Sequence, residues 1–294
     1  MKSTNPLPLV SICIPTFNGA QFIAEAMESA ILQTYGNLEI VISDDKSKDD
    51  TLSIIELYKS KTDIPIYIYH HQPSGIGANW NNCVKFSKGV YIKFLFQDDI
   101  LEPDCISKMI QIALSNSSIG LVYSKRTIIY KELNNKFKSF IDQYGELHKS
   151  WKDLIINEGM VLGKNYLKDV YLLRSPKNKI GEPTAVLIKR ECFEKIGYFS
   201  EELKQTLDYE YWYRIMKFYN IGFVDKYLVS FRLHNNQATN VNKKKQVSEN
   251  RLLHHYYYKH LFWQLHFKNK FKLLKLFHPV FVNLVKLKQK VNAK

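Results

Sequence analysis

The chain has 294 residues, of which 45% are hydrophobic and 14% aromatic. This composition supports one large α/β domain or two modest ones and excludes a globally disordered protein. The formal net charge is +14, but residues 241–294 hold thirteen Lys or Arg against a single acid, a net +12, so the basicity belongs to the C-terminal tail.

The cysteines and the apolar runs indicate where in the cell the protein is found. Four cysteines lie far apart and form no CxxC pair, which argues against a zinc site or a disulfide framework. The apolar run at the N-terminus is too short and too interrupted by proline for a signal peptide, and no run of about 20 apolar residues follows. We therefore expect a cytoplasmic protein without a membrane span.

Short apolar strands alternate with helical patterns through the first hundred residues. Strands are predicted at residues 9–14, 38–43, 64–70 and 90–96, and helices at residues 22–31, 47–58 and 79–88. Ser47 and Asp50 have the spacing of a capping box at the start of the second helix. This alternation predicts a mainly parallel sheet covered by helices, with ligands at the carboxyl ends of the strands.

The pattern changes in the second half. Residues 131–179 are polar and aromatic with little periodicity, which predicts a loop-rich insertion or lid. A strand and a helix follow over residues 184–199, then a helix over 208–219 and a strand over 228–234. Beyond residue 240 the chain is rich in lysine and helix-prone.

Two adjacent carboxylates, Asp98 and Asp99, end the apolar strand at residues 90–96. At about 4 Å two like charges repel by ~1 kcal/mol in water and by ~4 kcal/mol at an effective dielectric constant near 20. A solvated turn tolerates this repulsion, whereas a cleft requires a cation or a protonated carboxyl group. The pair therefore marks either a surface turn or a metal site.

Together with this pair, several stretches in this order resemble the family 2 glycosyltransferases, which have the GT-A fold and use nucleotide-diphosphate sugars. The resemblance covers residues 9–240 and depends on VSICIPTFNGAQFIAEAMESAILQTYGNLEIVISDDKSKDDT, GVYIKFLFQDDILEPD, GEPTAVLIKRECFEKIGYFSEEL, LDYEYWYRI and FRLHNNQAT. It implies a GT-A, Rossmann-like catalytic domain over residues 1–240, followed by a basic helical tail over 241–294. The nucleotide-binding half would span residues 1–125 and the acceptor-binding half 126–240.

The resemblance also implies a metal site. Asp99 would bind Mg²⁺ or Mn²⁺, which are hard cations suited to oxygen ligands, and Asp98 would hold the ribose or assist the metal. Gln97 departs from the DxD-type pattern. The cation would therefore be held mainly by Asp99, water and the diphosphate. His234, in an R-x-H context, would complete the metal or diphosphate site, although a lone histidine after a strand is commonly a loop residue.

Further residues are implied to bind the donor. Asp45 would hydrogen-bond the base, and a carboxylate acceptor favours uracil or thymine. Asn81 matches a family position, whereas Trp80 stands where many members have Arg. The nucleotide pocket would be lined by the residues after the first strand, Pro15, Thr16 and Phe17.

The stretch LDYEYW resembles the Glu-Asp-x-x-x-Trp segment of the family, with Leu207 in place of the Glu and Asp208 as the catalytic base. A base at a helix start can take the proton of the acceptor hydroxyl as it attacks the sugar. The alternative is that Asp208 only caps the helix. For Glu210 we expect a structural role.

The leading hypothesis is an inverting glycosyltransferase acting on a glycan or lipid-linked acceptor, as in surface polysaccharide or lipopolysaccharide synthesis. A nucleotidyltransferase is an alternative, but the residues after the first strand lack a glycine- and arginine-rich phosphate loop. A nucleic-acid-binding protein is disfavoured because the basic excess is confined to the tail and no nucleic-acid motif is present. A catalytically dead relative is disfavoured because Asp99 and Asp208 are both present.

The tail suggests a membrane partner. One helical face would carry Trp263, Phe267, Phe271 and Leu274, with lysines towards the other face, before Pro279 ends the run. These residues either pack on the catalytic domain or lie on an anionic membrane surface. We expect the second arrangement, with the protein peripheral on the inner face of the membrane.

Overall fold

The computed structural model describes residues 6–235, 237 and 248–284. Its strands are β1 (Val10–Thr16), β2 (Leu38–Asp44), β3 (Ile66–His70), β4 (Tyr91–Phe94), β5 (Ile100–Leu101), β6 (Ile119–Tyr130), β7 (Gly159–Val161), β8 (Val186–Lys189) and β9 (Asn220–Leu233). Its main helices are α1 (Ile23–Ile31), α2 (Thr51–Lys59), α3 (Ile76–Phe86), α4 (Cys105–Ser115), α5 (Asn135–Tyr144), α6 (Gly163–Lys168), α7 (Arg190–Ile196), α8 (Leu207–Phe218), α9 (Asn250–His260) and α10 (Phe267–Phe277).

All of these strands belong to one mixed sheet. The order is β3-β2-β1-β4-β8-β6-β9-β5, and β7 also pairs with β9. Strands β3, β2, β1 and β4 run parallel, β8 is antiparallel to both of its neighbours, and β6 and β9 run parallel again. The predicted mainly parallel α/β sheet is thus confirmed, and the predicted boundary after residue 125 falls inside β6, so the two halves share the sheet.

The sheet is parallel where its strands are apolar throughout. β1 and β2 are buried along their whole length, as strands covered by helices on both faces must be. Two hydrophobic clusters fill the two faces, one around Ile12 and Met27 and the other around Phe94 and Trp212. The predicted apolar face of α1 packs into the first of these clusters.

The strand register brings polar side chains to one edge. Thr16 lies opposite Asp44, and Asp44 lies opposite His70, so β1, β2 and β3 end at the same level. β4 ends at Phe94, opposite Cys13, and the chain continues along the same edge toward Asp99. The polar residues after these strands therefore meet where ligands bind in such sheets.

The prediction of a loop-rich insertion was incomplete. Residues 131–179 contain α5, α6 and β7, and β7 pairs antiparallel with β9. Tyr166 and Leu167 of α6 are fully buried in the core. The helix is only six residues long, too short for its apolar period to stand out in the sequence.

The predicted capping box of Ser47 and Asp50 is wrong. α2 begins at Thr51, and its N-cap residue Asp50 makes no side-chain capping bond. The Ser47 hydroxyl instead donates to Asp44 Oδ1 (2.6 Å) and accepts from the Asn18 N–H (2.9 Å). Ser47 therefore joins the loops after β1 and β2.

The described part of the tail packs on the catalytic domain. The Tyr257 ring of α9 lies 5.8 Å from the Tyr213 ring of α8. Glu249 accepts hydrogen bonds from the N–H groups of Gln205 and Thr206 at the start of α8. Within the described ranges, none of the helices has the length and hydropathy needed to cross a bilayer.

We predict that Gly163→Ala destabilises the fold, because a Cβ there would lie 2.1 Å from Tyr219 O and 2.4 Å from Met216 O. Such overpacking against backbone costs about 1–3 kcal/mol and would displace α6 from α8. Gly36→Ala is the control, because no atom lies within 4 Å of its added Cβ. Urea unfolding should show a lower midpoint for Gly163→Ala only, and equal midpoints would contradict this account of the packing.

Candidate active site

The pairing of β5 with β9 assembles the first half of the site. Ile100 lies opposite Ser230 in an antiparallel ladder, so the residues before Ile100 face those after Ser230. Asp98 Oδ2 consequently lies 2.8 Å from His234 Nε2, and both side chains are partly exposed. This carboxylate–imidazole pair is the group at this end of the sheet best placed to meet a ligand.

Asp99, the predicted metal ligand, has a different environment. Its side chain is 1% exposed, Oδ2 accepts from the Thr184 hydroxyl (2.7 Å), and Oδ1 accepts from the Arg232 N–H (3.0 Å). Burial, together with the adjacent Asp98 charge, raises the pKa of Asp99 well above its ordinary value. The predicted metal role of Asp99 stays a prediction, and these contacts favour a structural role for it. Asp98, beside His234, is the more exposed candidate for a cation ligand.

Gln97 joins two strand ends. Its side-chain carbonyl accepts from the Phe17 N–H (2.9 Å), and its amide donates to Phe17 O (3.1 Å). A Cβ at Gly19 would lie 2.3 Å from Gln97 Oε1, so a side chain there would displace the Gln97 amide. Gln97, the residue that departs from the DxD-type pattern, thus fixes the loop after β1.

The residues predicted to line the nucleotide pocket lie at this edge. Pro15 and Thr16 are buried, and the Thr16 hydroxyl donates to Asp44 Oδ1 (2.8 Å), whereas the Phe17 ring is exposed. Asp45 Oδ1 lies 2.5 Å from His71 Nδ1. Burial raises the pKa of Asp45, and the hydrogen bond from His71 opposes that rise. His71 was missed by the sequence analysis.

The Asn81 side chain is hydrogen-bonded to residues after α7. Its amide donates to Phe199 O (3.0 Å) and to Glu201 (3.1 Å), and its carbonyl accepts from the Phe199 N–H (3.0 Å). Asn81 therefore links α3 to the segment before α8, and its predicted role in donor binding stays a prediction. Trp80 packs among Phe94, Phe96 and Phe199 in the core.

Asn79, on the same helix, was missed. Its amide donates to Thr16 O (3.3 Å), and its Oδ1 is buried with no hydrogen-bond partner in the described structure. A buried acceptor without a partner is costly, so this atom is placed for a ligand donor. The two asparagines cannot be told apart in the sequence, since both lie on one helix.

The second half of the site is at the start of α8. Asp208 Oδ2 accepts from the Asn178 amide (2.8 Å), and Asp208 Oδ1 has no partner among the described residues. The Asn178 carbonyl accepts from the N–H groups of Ile180 (3.1 Å) and Gly181 (2.9 Å), which fixes its amide toward Asp208. One carboxylate oxygen is thus held while the other is left for a proton.

The environment of Asp208 suits a base near neutral pH. Burial raises the pKa of Asp208 to about 8, and the charge of Glu182 adds to the rise. Backbone hydrogen bonds, that of Tyr209 above all, and the Asn178 side chain oppose it. Raised carboxyl pKa values of this kind are concentrated at catalytic sites.

One loop connects the two halves. Residues 178–184 carry Asn178, which holds Asp208, and Thr184, which holds Asp99. The negative charge of Glu182, also in this loop, raises the pKa of both carboxyl groups. The Trp212 N–H donates to Gly181 O (3.1 Å), and Gly181 has a φ of +126°, which favours glycine.

The remaining residues of α8 are structural. Glu210 pairs with Arg214 at 2.8 Å and is buried, which confirms its predicted role. Trp212 is fully buried, and burial strongly raises the pKa of the Tyr209 phenol. These aromatic residues pack α8 into the core and leave Asp208 at its end.

The donor set fits a cation shared with a ligand. Across residues 6–235, 237 and 248–284, no three His, Cys, Asp or Glu side chains cluster as a metal site. Asp98 and His234 alone supply a carboxylate oxygen and an imidazole nitrogen, a combination that suits Mn²⁺. The other ligand positions would have to come from phosphate oxygens and water.

We predict that replacing Asp99 lowers the stability of the fold, whereas replacing Asp98 removes metal-dependent ligand binding. Asp99→Ala should lower the free energy of unfolding by roughly 2–4 kcal/mol, because it leaves two buried donors unpaired. Asp98→Ala should change stability by less than about 1 kcal/mol and abolish Mn²⁺-dependent binding of a nucleoside diphosphate, measured by calorimetry. Retention of that binding in Asp98→Ala would restore Asp99 as the candidate ligand.

Comparison with known proteins identifies the family. Residues 11–197 match the model of Glycosyl transferase family 2. An uncharacterized glycosyltransferase of Rickettsia typhi is 33% identical over 240 residues, covering 82% of this chain and 69% of that protein.

Solved structures share the fold. TarS of S. aureus in complex with UDP-GlcNAc has a TM-score of 0.62 at 19% identity, over 93% of this chain and 71% of that one. The mannosyltransferase PcManGT of Pyrobaculum calidifontis, in complex with GDP-Man and Mn²⁺, has a TM-score of 0.57 at 16% identity, over 98% and 81%. The predicted GT-A fold is confirmed, and since the family match covers more than half of the chain, this protein belongs to glycosyl transferase family 2 and is a glycosyltransferase.

Proposed function

We propose that this protein is an inverting transferase that moves a sugar from a UDP- or dTDP-sugar to a hydroxyl group of a glycan or lipid-linked acceptor. The observation that carries the proposal is one loop, residues 178–184, that bonds Asp208 through Asn178 at one end and Asp99 through Thr184 at the other. Asp98, the neighbour of Asp99 in the chain, pairs with His234. One pair suits the donor diphosphate and the other suits the acceptor.

The donor would bind at the carboxyl ends of β1, β2 and β4. Asp45, oriented by His71, offers an acceptor to the imide N–H of uracil or thymine, and Asn79 Oδ1 offers a second acceptor nearby. Asp98 and His234 would hold Mn²⁺ or Mg²⁺ against the diphosphate, and the cation would supply positive charge to the leaving group. TarS, with UDP-GlcNAc, supports a uridine donor, whereas PcManGT, with GDP-Man, shows that the fold also accepts guanine.

Asp208 would act as the general base. Asn178 holds Oδ2, and Oδ1 accepts the proton of the acceptor hydroxyl as its oxygen forms a bond to the anomeric carbon. The bond from that carbon to the diphosphate oxygen breaks with its electron pair, and the nucleoside diphosphate leaves. A single displacement of this kind inverts the configuration at the anomeric carbon. Thus one base is sufficient.

The acceptor would meet the face built by residues 126–240. Glu182, paired with Arg126 at 2.5 Å, is close enough to Asp208 for its charge to raise the pKa of that group, and it would offer acceptor atoms to sugar hydroxyls. We propose a surface glycan or a lipid-linked oligosaccharide as acceptor and the inner face of the cell membrane as the location.

The test is a screen of nucleotide sugars for hydrolysis and transfer with Mn²⁺ or Mg²⁺, comparing the native chain with Asp208→Asn. The substitution preserves shape but removes the proton acceptor, so turnover should fall by roughly 10²–10⁴-fold. Donor affinity should stay within about twofold. An equal collapse of affinity and turnover would make Asp208 a binding residue and contradict the assigned base.

We also predict a pH profile. Because the base must be ionised and its pKa is raised to about 8, kcat/KM should rise with pH through about 8 and fall about tenfold per unit below it. Asn178→Ala removes the hydrogen bond that favours the ionised carboxylate, so the rising limb should move to higher pH. An unmoved limb would contradict the role of Asn178.

A control variant accompanies this pH profile. Asn37→Ala removes a comparable side-chain hydrogen bond, to Leu7 O (2.7 Å), away from the site and should leave the rising limb of the profile in place.

Since the folded-state pKa of Asp208 is raised, its contribution to stability is present at low pH and lost as pH rises through about 8. Asp208→Asn should therefore be at least as stable as the native chain at pH 9 by urea unfolding.

A further inference from the structure

Helix α10 is apolar on two opposite sides. One side carries Leu273, which is fully buried, and Asn269, whose amide donates to Asp169 O (3.0 Å). The other side carries Phe267 and Phe271, which are 68% and 47% exposed, and it continues into Trp263, 81% exposed. The packing of the helix on the domain therefore leaves this second row of aromatic residues uncovered within the described structure.

Lysines surround the uncovered row. Lys268 and Lys275 are exposed on the outward side of α10, and Lys275 Nζ lies 4.4 Å from the Phe271 ring. Lys270 Nζ lies 5.9 Å from the Trp263 ring. Over residues 248–284 the single acidic residue is Glu249, and its carboxylate is bonded to backbone N–H groups before α8. No acidic side chain of this segment is left to offset these lysines.

A groove opens beside Trp263. It has a volume of about 610 Å³ and is lined by the aromatic residues Tyr258 and Phe262 and by the cations Lys217 and Lys259. Aromatic walls with lysines at the rim suit a molecule that has an apolar part and an anionic head group.

We propose that this surface, formed by Trp263, Phe267, Phe271 and the lysines around them, docks on an anionic lipid bilayer. Exposed aromatic residues between lysines are the pattern of a helix that lies in the membrane interface, with rings among the acyl chains and ammonium groups at the phosphates. Each such lysine contributes to the attraction of the anionic surface, which weakens as salt increases.

A second copy of the chain fits this surface less well. Residues 241–294 carry a net charge of +12, so two copies placed face to face would oppose two strongly basic surfaces. An anionic bilayer offers both the apolar layer and the negative charge that the surface lacks. The proposal is independent of the sugar-transfer reaction.

The test is co-sedimentation of the full chain with vesicles of phosphatidylcholine and phosphatidylglycerol in equal parts, against phosphatidylcholine alone. We expect binding to the anionic vesicles, lost at about 1 M salt, and little binding to neutral ones. The double variant Phe267→Ser/Phe271→Ser should weaken binding at least about tenfold, and Lys268→Glu/Lys275→Glu should do the same.

Matched controls distinguish binding by this surface from non-specific adsorption to the vesicles. Leu57→Ser removes an exposed apolar side chain of α2, and Lys136→Glu/Lys138→Glu reverses two exposed lysines of α5, so both should bind as the native chain does. Equal binding of all variants, or equal binding to neutral vesicles, would overturn the proposal. So would a dimer in light scattering that Phe267→Ser/Phe271→Ser dissociates. No nucleotide sugar is present, so failure here would leave the proposed transferase reaction untouched.

Discussion

The buried carboxyl group of Asp99 joins three segments that are far apart in the sequence. Its oxygens accept hydrogen bonds from Thr184, before β8, and from the backbone of Arg232, near the end of β9. Leaving these donors unpaired in the core would cost about 1–3 kcal/mol each, so their pairing with Asp99 fixes the turn between β4 and β5. Because that turn is fixed, the neighbouring Asp98 side chain points out of the core and meets His234. The structure thus uses one aspartate to position the other.

The same constraint extends to the catalytic half of the site. Thr184 ends the loop of residues 178–184, and Asn178 at its other end holds Asp208. The loop is also fixed by the Trp212 side chain of α8, which donates to Gly181 O. A shift of the β4–β5 turn would therefore displace Thr184, and the loop that follows from it would displace Asn178 and Asp208. Glu182 couples the two halves electrostatically, since its charge raises the pKa of Asp99 and of Asp208.

Helix α8 links this site to the tail. Its first turn carries Asp208, the N–H groups just before it are bonded to Glu249, and Tyr213 contacts Tyr257 of α9. A surface that docks α9 and α10 on a bilayer would thereby orient the base with respect to the membrane. This arrangement suits an acceptor that is itself held in the lipid, because the reacting hydroxyl would then approach from a defined side.

Features that depend on local pattern follow from the sequence alone. The continuous apolar runs of β1 and β2 and the helical spacing in α1 predict a parallel sheet covered by helices, because burial on both faces requires apolar residues throughout. The motifs identified the family and placed Asp208 at a helix start.

Contacts between distant segments set which side chain of each local pair is buried. Asp98 and Asp99 are adjacent and chemically identical, and only the distant Thr184 and Arg232 make Asp99 the buried one. Asn79 and Asn81 share a helix, and only the contact with Phe199 withdraws Asn81. The aromatic row of α10 was visible in the sequence, but its exposure depends on Leu273 and Asn269 facing the domain. In each case burial is set by residues far along the chain, which no local spacing specifies.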